Sequence, residues 1–318
     1  MIQSRRKLLK AIVSISALMP TLKAISMSSS LHLASESNSN FKFIYGNSAY
    51  KDNFYQFLVN VFHLYPELEF HQLIDAITKR ASSDQQIYIE VQNKLNEISS
   101  FIAPLTYSMP ALSKQKQIIA DQTQQLLHDK NQFSGYLEIG STGRYLDALE
   151  ERFTIENDRY FVTDKAATYS PIDMIDRGQI IKAGSDILFN NYQPALHSIP
   201  RNSLDLVTVY IGFHHCPVAL REEFITNIRD TMSTGGYLVV RDHDVNNKKM
   251  HHIVALAHDV FNLGTMESWQ YNNAELRNFY ALAELDVLLN KLGFKSDGKK
   301  LFQQGDPTLN ALMVYQKV

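Results

Sequence analysis

The chain has 318 residues, 45% of them apolar and 20% charged, which is room for about two domains and excludes wholesale disorder, a collagen-like chain and a multi-span membrane protein. A single cysteine, Cys216, excludes a disulfide framework and a cysteine-built zinc site within one chain. The formal net charge is −2, yet the first 35 residues hold five basic side chains and no acid. The remainder carries 26 basic against 33 acidic residues, and that balance gives no field for gripping phosphate backbones, so nucleic-acid binding by bulk charge is not expected.

Residues 4–10 read SRRKLLK, an apolar run follows over 11–22, and 26–39 is rich in serine. A basic head before a short apolar segment reads as a secretory signal. The pair Arg5 and Arg6, flanked by Ser4 and by Leu8, Leu9 and Lys10, resembles a bacterial twin-arginine export signal with Leu where that family usually has Phe. The resemblance implies the twin-arginine machinery as a partner and a periplasmic or exported location. A disordered basic tail on a cytoplasmic protein and an organellar transit peptide are the alternatives. Pro20 interrupts the apolar run, which is too short for a bilayer whose ~30 Å core takes about 20 helical residues, so no permanent span is expected. Residues 1–40 are accordingly read as a leader and linker.

Over 41–131 the pattern is helical. Phe54, Phe57, Leu58, Val61 and Tyr65 recur at spacings of three and four, and Pro66 is expected to stop that helix. A second helix is predicted over 67–80. Ser83 with Gln86 resembles a capping box opening a third, with Ile87, Val91, Leu95, Ile98 and Ile102 on its buried face. Pro104 and Pro110 bracket a loop, and a Gln-rich helix follows to about Asp129. This helical front reads either as a packing layer or as a lid.

From residue 132 the texture changes to short β-rich runs separated by helices. Strands are predicted over 136–139, 160–163, 180–183, 204–211 and 237–241. Helices are predicted over 144–152 and over 218–232, the latter closed by Gly235 and Gly236. Strands alternating with helices imply parallel pairing and right-handed crossovers, with ligands at the carboxyl ends of the strands.

The residues after each strand are therefore the candidates. Glu138-Ile139-Gly140-Ser141-Thr142-Gly143-Arg144 follows the first, with glycines that let a ligand approach the backbone and a helix start behind them. Asp164 follows the second, placed to accept both hydroxyls of a ribose. Gly184-Ser185-Asp186 ends the third, and its carboxylate could accept from an exocyclic amino group such as adenine's. The fourth ends in Gly212-Phe213-His214-His215 and the fifth in Asp242-His243-Asp244.

In these motifs residues 135–318 resemble the class I S-adenosylmethionine-dependent methyltransferases, in particular the small-molecule group called type 11. LEIGSTGRY is similar to the cofactor loop, VTD to the ribose-binding strand end, GSDI to the adenine-side position, SLDLVTVYIGFHH to the fourth strand, MSTGGYLVVRDHD to the approach to the fifth, and TLNALMVYQK to the last. The resemblance implies a Rossmann-like, doubly wound α/β fold with a seven-stranded, mostly parallel sheet whose last strand is antiparallel. It implies S-adenosyl-L-methionine as cofactor and methyl transfer to an oxygen, nitrogen or carbon of a small molecule. Glu138, Gly140, Ser141 and Gly143 would hold the methionine end, Asp164 the ribose, Asp186 and Ile187 the adenine side, with Tyr210 beside them. His214, His215, Asp242 and His243 would face the acceptor as catalytic candidates. One departure is clear: the family's loop usually reads acid-x-Gly-x-Gly-x-Gly, and here the glycine pattern is one residue shorter. That favours the alternative of an exported, catalytically weak relative that binds a ligand or partner.

Six of the eleven histidines lie between residues 214 and 258, and with Asp242, Asp244 and Asp259 they invite comparison with a mixed nitrogen and oxygen metal site. No H-E-x-x-H or other ligand spacing occurs, although His251 and His258 are seven apart and could share a helical face, so the sequence assigns no metal; the residues read first as structural or substrate-facing groups, then as a general base, with metal ligation the third alternative. Residues 246–273, holding the sole Trp269, form an insertion longer than a strand-to-helix link needs and read as lid or packing layer.

Overall fold

The computed structural model describes residues 39–99, 109–164, 166 and 184–318. The leader up to residue 38, Ile102, the stretch around Pro104 and the strand expected over 180–183 lie outside the described residues.

The helical front comprises α1 (Asn40–Tyr45), α2 (Ser48–Phe57), α3 (Glu67–Arg80), α4 (Asp84–Ile98) and α5 (Met109–Leu127). Between α2 and α3 the helix does not run on to Tyr65. It widens into a π-turn over Leu58–Phe62 and leaves through His63 in the left-handed region (φ 45°). Residue periodicity continues through such a turn, so spacing alone does not reveal it. The Ser83 hydroxyl accepts from the Gln86 N–H at 3.3 Å, but the Gln86 side chain reaches back to Ser82, one residue earlier than a capping box requires. Pro110 does not bound a loop. It sits in the first turn of α5, where a missing N–H breaks no helical bond.

The sheet contains β1 (Gln132–Ile139), β2 (Thr154–Thr163), β3 (Ser185–Leu188), β4 (Leu204–Val209), β5 (Met232–His243), β6 (Phe294–Lys295), β7 (Lys300–Phe302) and β8 (Asn310–Lys317). Its order is β3-β2-β1-β4-β5-β8-β6, with β7 also on β8. The first five strands pair in parallel, and β8 lies antiparallel to β5 from Tyr237↔Gln316 to His243↔Asn310. The short β6 and β7 both pair antiparallel with β8, β6 near its end at Gln316 and Lys317 and β7 at residues 311–313. They are two pieces of one broken edge strand, so the sheet has seven positions among the described residues. The order, its switch between β1 and β4, and the reversed strand beside β5 define the Rossmann-like methyltransferase sheet.

Several boundaries differ from the expectation: β1 and β2 begin earlier, at Gln132 and Thr154, β4 ends at Val209, and β5 is longer at both ends. Asp186 does not follow a strand but lies inside β3, paired in register with Phe161. Gly184 admits the chain there, since a Cβ on it would stand 2.3 Å from the Arg159 carbonyl oxygen. The helix α7 (Val218–Thr231), whose ends follow α6 (Leu146–Glu150) in chain order, is not closed by the glycine pair. β5 already begins at Met232, and its register against β4 shifts between the Leu204↔Met232 and Leu206↔Tyr237 pairs.

Alternation sends Leu137, Ile139, Val207, Val209, Leu238 and Val240 into one core, with Phe224, Ile225 and Ile228 of α7 and Leu282, Leu285 and Leu289 of α10 (Leu282–Lys291). Phe133, Leu206, Tyr210 and Val239 face the other, under α5 and α6. A third core joins the front helices to the insertion, which folds as α8 (Lys248–Gly264) and α9 (Trp269–Ala274). Its axis is the apolar side of α8, with Ile253, Val254, Leu256, Val260 and Leu263 buried against Phe54, Phe62, Phe70, Ile87 and Val91. Tyr65 reinforces it by donating its hydroxyl to the Gly264 carbonyl at 2.8 Å. Among the described residues no helix is long and apolar enough to cross a membrane.

Candidate active site

The turn after β1 begins with a buried carboxylate. Glu138 is almost fully inaccessible and accepts hydrogen bonds from the Tyr136 hydroxyl at 2.8 Å and from the Ser141 hydroxyl. Burial raises its pKa, and the two hydroxyl bonds oppose that rise. The Gly140 N–H extends the ladder to Val162 O at 2.8 Å. Gly140 (φ +92°) and Gly143 (φ +82°) need their missing side chains, because a Cβ would stand 2.5 Å from the Ile211 side chain and 2.6 Å from the Phe161 ring respectively. The glycines that the sequence reading reserved for a ligand are thus also met by the chain's own side chains.

Arg144 closes this turn; the sequence reading names it at the end of the candidate loop but gives it no role beyond the start of a helix. It is 3% exposed, and among the described residues its Nε and Nη1 have no hydrogen-bond partner. A buried guanidinium with unsatisfied donors is costly unless an anion reaches it. Asp164 follows β2 and is exposed, while Asp186 and Ile187 in β3 are half-buried. Tyr210 packs edge-on to Tyr145 at 4.7 Å and shares a hydrogen bond with the Thr123 hydroxyl at 3.1 Å.

Beyond β4 and β5 a cavity of about 110 Å³ opens. Tyr145, Tyr210 and Ile211 border it on the side of the β1 turn, and Phe57, Val61, Ala257 and Phe261 from the helical front and α8 roof it. His214, His215, His243 and His258 line it together with Arg241 and Asp306. The helical layers therefore both pack and line.

Asp242 organises this end of the sheet. It is 1% exposed, and four donors converge on its carboxylate: the His214 Nδ1 at 2.6 Å and the His243 N–H at 2.8 Å on Oδ1, the Phe213 N–H at 2.7 Å and the Tyr280 hydroxyl on Oδ2. Burial alone would raise its pKa, but the neighbouring His214 and the hydrogen bonds from His214 and Tyr280 pull it well below the usual carboxylate range. The Tyr280 ring is held in turn by the Arg221 guanidinium, 4.6 Å from its centroid. Gly212 (φ +77°) makes room, since a Cβ there would lie 2.7 Å from both the Asp242 carboxylate and His214 Nδ1.

The other imidazoles are oriented by main-chain carbonyls: His215 Nδ1 meets Leu276 O at 3.0 Å, His243 Nδ1 meets Thr308 O at 3.0 Å, and His258 Nδ1 meets Val254 O at 2.9 Å. A carbonyl only accepts, so each Nδ1 carries the proton and each Nε2 keeps its lone pair. Burial, and then the electrostatic influence of the neighbouring His214 ring, lowers all three, His243 to about 3.

All four catalytic candidates of the sequence reading, His214, His215, Asp242 and His243, are thus brought together, and α8 adds His258, which the sequence offered only as one of the six histidines between residues 214 and 258. Asp244 and Asp259 stand apart: Asp244 accepts from the Leu282 N–H at 3.0 Å, and Asp259 pairs with Arg277 at 2.7 Å. His251 is exposed, its ring against Phe279, and His252 stacks on Phe43 at 4.0 Å.

No protein-family model matches the sequence, and no curated protein is similar to it in sequence. Several solved structures are similar in fold. The 1,6-didemethyltoxoflavin-N1-methyltransferase of Burkholderia thailandensis, solved with 1,6-didemethyltoxoflavin and S-adenosylhomocysteine, is 12% identical over 64% of this chain and 78% of its own, with a TM-score of 0.40. The CurJ carbon methyltransferase is 13% identical over 79% of this chain and 67% of its own, with a TM-score of 0.47. An O-methyltransferase family 2 protein of Planctomyces limnophilus in complex with apigenin is 12% identical over 78% and 66%, with a TM-score of 0.41. The class of fold rests on the strand order above, not on these scores.

Proposed function

We propose that this protein is an S-adenosylmethionine-dependent methyltransferase acting on a small molecule held in the cavity beyond β4 and β5. The observation that carries the reading is Arg144: a buried guanidinium whose Nε and Nη1 have no hydrogen-bond partner among the described residues, in the turn after β1, on a sheet whose β2 ends in an exposed carboxylate. A nucleoside bearing an amino-acid chain has the matching groups, a carboxylate for Arg144 and a ribose diol for Asp164. Asp186 and Ile187 would border the base, and Gly140, Ser141 and Gly143 the methionine chain. Glu138 would act indirectly, because its oxygens already hold Tyr136 and Ser141 and fix the turn.

When bound, the cofactor supplies an electrophilic methyl on a sulfonium. The chain's task is to align an acceptor with it and keep water away. Phe57, Val61 and Phe261 supply the apolar roof for that exclusion. The imidazoles and the Asp306 carboxylate are groups lining the cavity that could take a proton from a hydroxyl or phenol. His243 alone, lowered to about 3, is a weak base for this, which leaves the His214–Asp242 pair or a group held by the cluster.

Calorimetric titration with S-adenosylhomocysteine tests the reading. The full chain should bind one equivalent. Arg144→Met and Asp164→Ala should each weaken binding by about tenfold or more, the scale of a lost charged hydrogen bond of about 1.5–3 kcal/mol. Failure of the unaltered chain to bind at millimolar ligand overturns it.

We also propose that residues 1–40 act as a twin-arginine leader for export, supported by Arg5, Arg6 and the short apolar run behind them. A reporter fused to this segment should leave the cytoplasm and stay inside when both arginines are replaced by lysine. Export indifferent to that change contradicts it.

A further inference from the structure

The cofactor reading leaves one feature unexplained. His214 Nε2 and His258 Nε2 face each other at 3.1 Å. His258 Nδ1 must donate to the Val254 carbonyl, and His214 Nδ1 is committed to the Asp242 carboxylate, so two lone pairs meet at hydrogen-bond distance inside the protein. Such an arrangement needs a positive species between the rings. A shared proton would serve two nitrogens, but here there is a third: one ring nitrogen from each of His214, His215 and His258 lies within 4.8 Å of the others.

We propose that His214, His215 and His258 form a binding site for a divalent transition-metal ion of the zinc type, open to the acceptor cavity. The dimensions fit. Tetrahedral nitrogen ligands at about 2.0–2.1 Å from zinc lie about 3.3 Å apart, close to the 3.1 Å between the two Nε2 atoms. The outer partners fit as well. Metal-bound imidazoles characteristically give their second N–H to a carboxylate or carbonyl, which fixes the tautomer and leaves the coordinating lone pair. Here Asp242 serves His214, Leu276 O serves His215 and Val254 O serves His258.

The donor set narrows the ion. Three neutral imidazoles suit zinc, cobalt(II), nickel or iron(II) and disfavour magnesium and calcium, which require oxygen. The single buried carboxylate of Asp242 offsets part of the added charge without being a ligand, since four donors already occupy it. Three protein ligands leave at least one coordination position for water or an oxygen of a bound molecule, as in zinc sites that do chemistry. The site stands independently of the cofactor assignment. If both hold, the acceptor class narrows to molecules that present an oxygen donor to the ion.

The test uses the full-length protein stripped with a chelator and dialysed, then titrated with cobalt(II) as the spectroscopic probe and with zinc. One equivalent should bind, giving the ligand-field absorption of a nitrogen-rich, low-coordinate cobalt site that zinc abolishes by competition. His258→Ala and His215→Ala should each lower affinity by at least about 100-fold, and Asp242→Asn, which touches only an outer partner, by about 10–100-fold. His251→Ala, on the same helix but outside the cluster, should leave it unchanged. X-ray absorption of the zinc-loaded, unaltered protein should show imidazole nitrogens at about 2.0–2.1 Å, a readout that does not depend on any variant folding. No stoichiometric binding by the unaltered chain, an absorption spectrum without imidazole scattering, or folded His258→Ala and His215→Ala proteins that bind as well as the parent would overturn the proposal. S-adenosylhomocysteine binding is measured separately, so failure of either assignment is distinguishable from failure of the other.

Discussion

Replacing Asp242 by Asn tests the organisation of the strand-end site most sharply, because the change keeps shape and alters only charge and donor pattern. One amide oxygen can keep two of the four donors, while the amide N–H₂ must face the other two. If it turns toward Oδ1, it meets His214 Nδ1 and the His243 N–H; if toward Oδ2, it meets the Phe213 N–H and the Tyr280 hydroxyl. His214 can move its proton to Nε2, and the tyrosine hydroxyl can rotate to accept, but neither backbone N–H can adapt. Either orientation strands one buried main-chain donor, which costs about 1–3 kcal/mol, and forfeits the charge that strengthens the remaining bonds. Urea unfolding followed by circular dichroism should therefore show Asp242→Asn less stable than the parent by about 1–3 kcal/mol, with the folded spectrum retained. A loss under about 0.5 kcal/mol, the scale of an ordinary surface change, would refute the four-donor account.

Other outcomes follow from the same geometry. Gly212→Ala should destabilise by more than the roughly 1–2 kcal/mol of a left-handed alanine, because the new methyl also meets Asp242 and His214; thermal unfolding measures it, and a neutral result would mean the turn is free to relax. Tyr65→Phe should cost about 0.5–1.5 kcal/mol by leaving the Gly264 carbonyl without its hydroxyl partner, again read by urea unfolding; no loss would mean that this bond adds nothing to the apolar docking of the front helices on α8. Arg144→Met should weaken S-adenosylhomocysteine binding while leaving the apo protein as stable or more so, since a buried cation whose Nε and Nη1 have no hydrogen-bond partner is exchanged for an apolar chain; a large loss of apo stability would mark Arg144 as structural.

The sheet was legible because its strands carry their own signal: apolar runs such as 204–209, rich in β-branched residues, and 311–315, spaced by helices, leave few topologies once parallel crossovers are required. Glu138, Asp164 and the histidines at the ends of β4 and β5 could be singled out because ligand sites in such sheets lie at the carboxyl ends of strands. Three things stayed hidden for physical reasons. The π-turn at Leu58–Phe62 preserves apolar spacing while changing the backbone. His258 reaches the cluster only because the apolar side of α8 docks on the front helices, a tertiary choice with no local spacing pattern. Arg144 looks like any helix-opening cation until its burial is known, and the closing of the gap at Gly140 and Gly143 by Ile211 and Phe161 depends on strand neighbours far apart in sequence.

The most direct measurement of the central claim is a crystal structure of the full chain grown with S-adenosylhomocysteine. The account predicts the ligand across the ends of β1 and β2, its carboxylate on the Arg144 guanidinium, its ribose hydroxyls on Asp164 and its sulfur turned toward the histidine-lined cavity. A ligand bound elsewhere, or bound with Arg144 and Asp164 untouched, would contradict it.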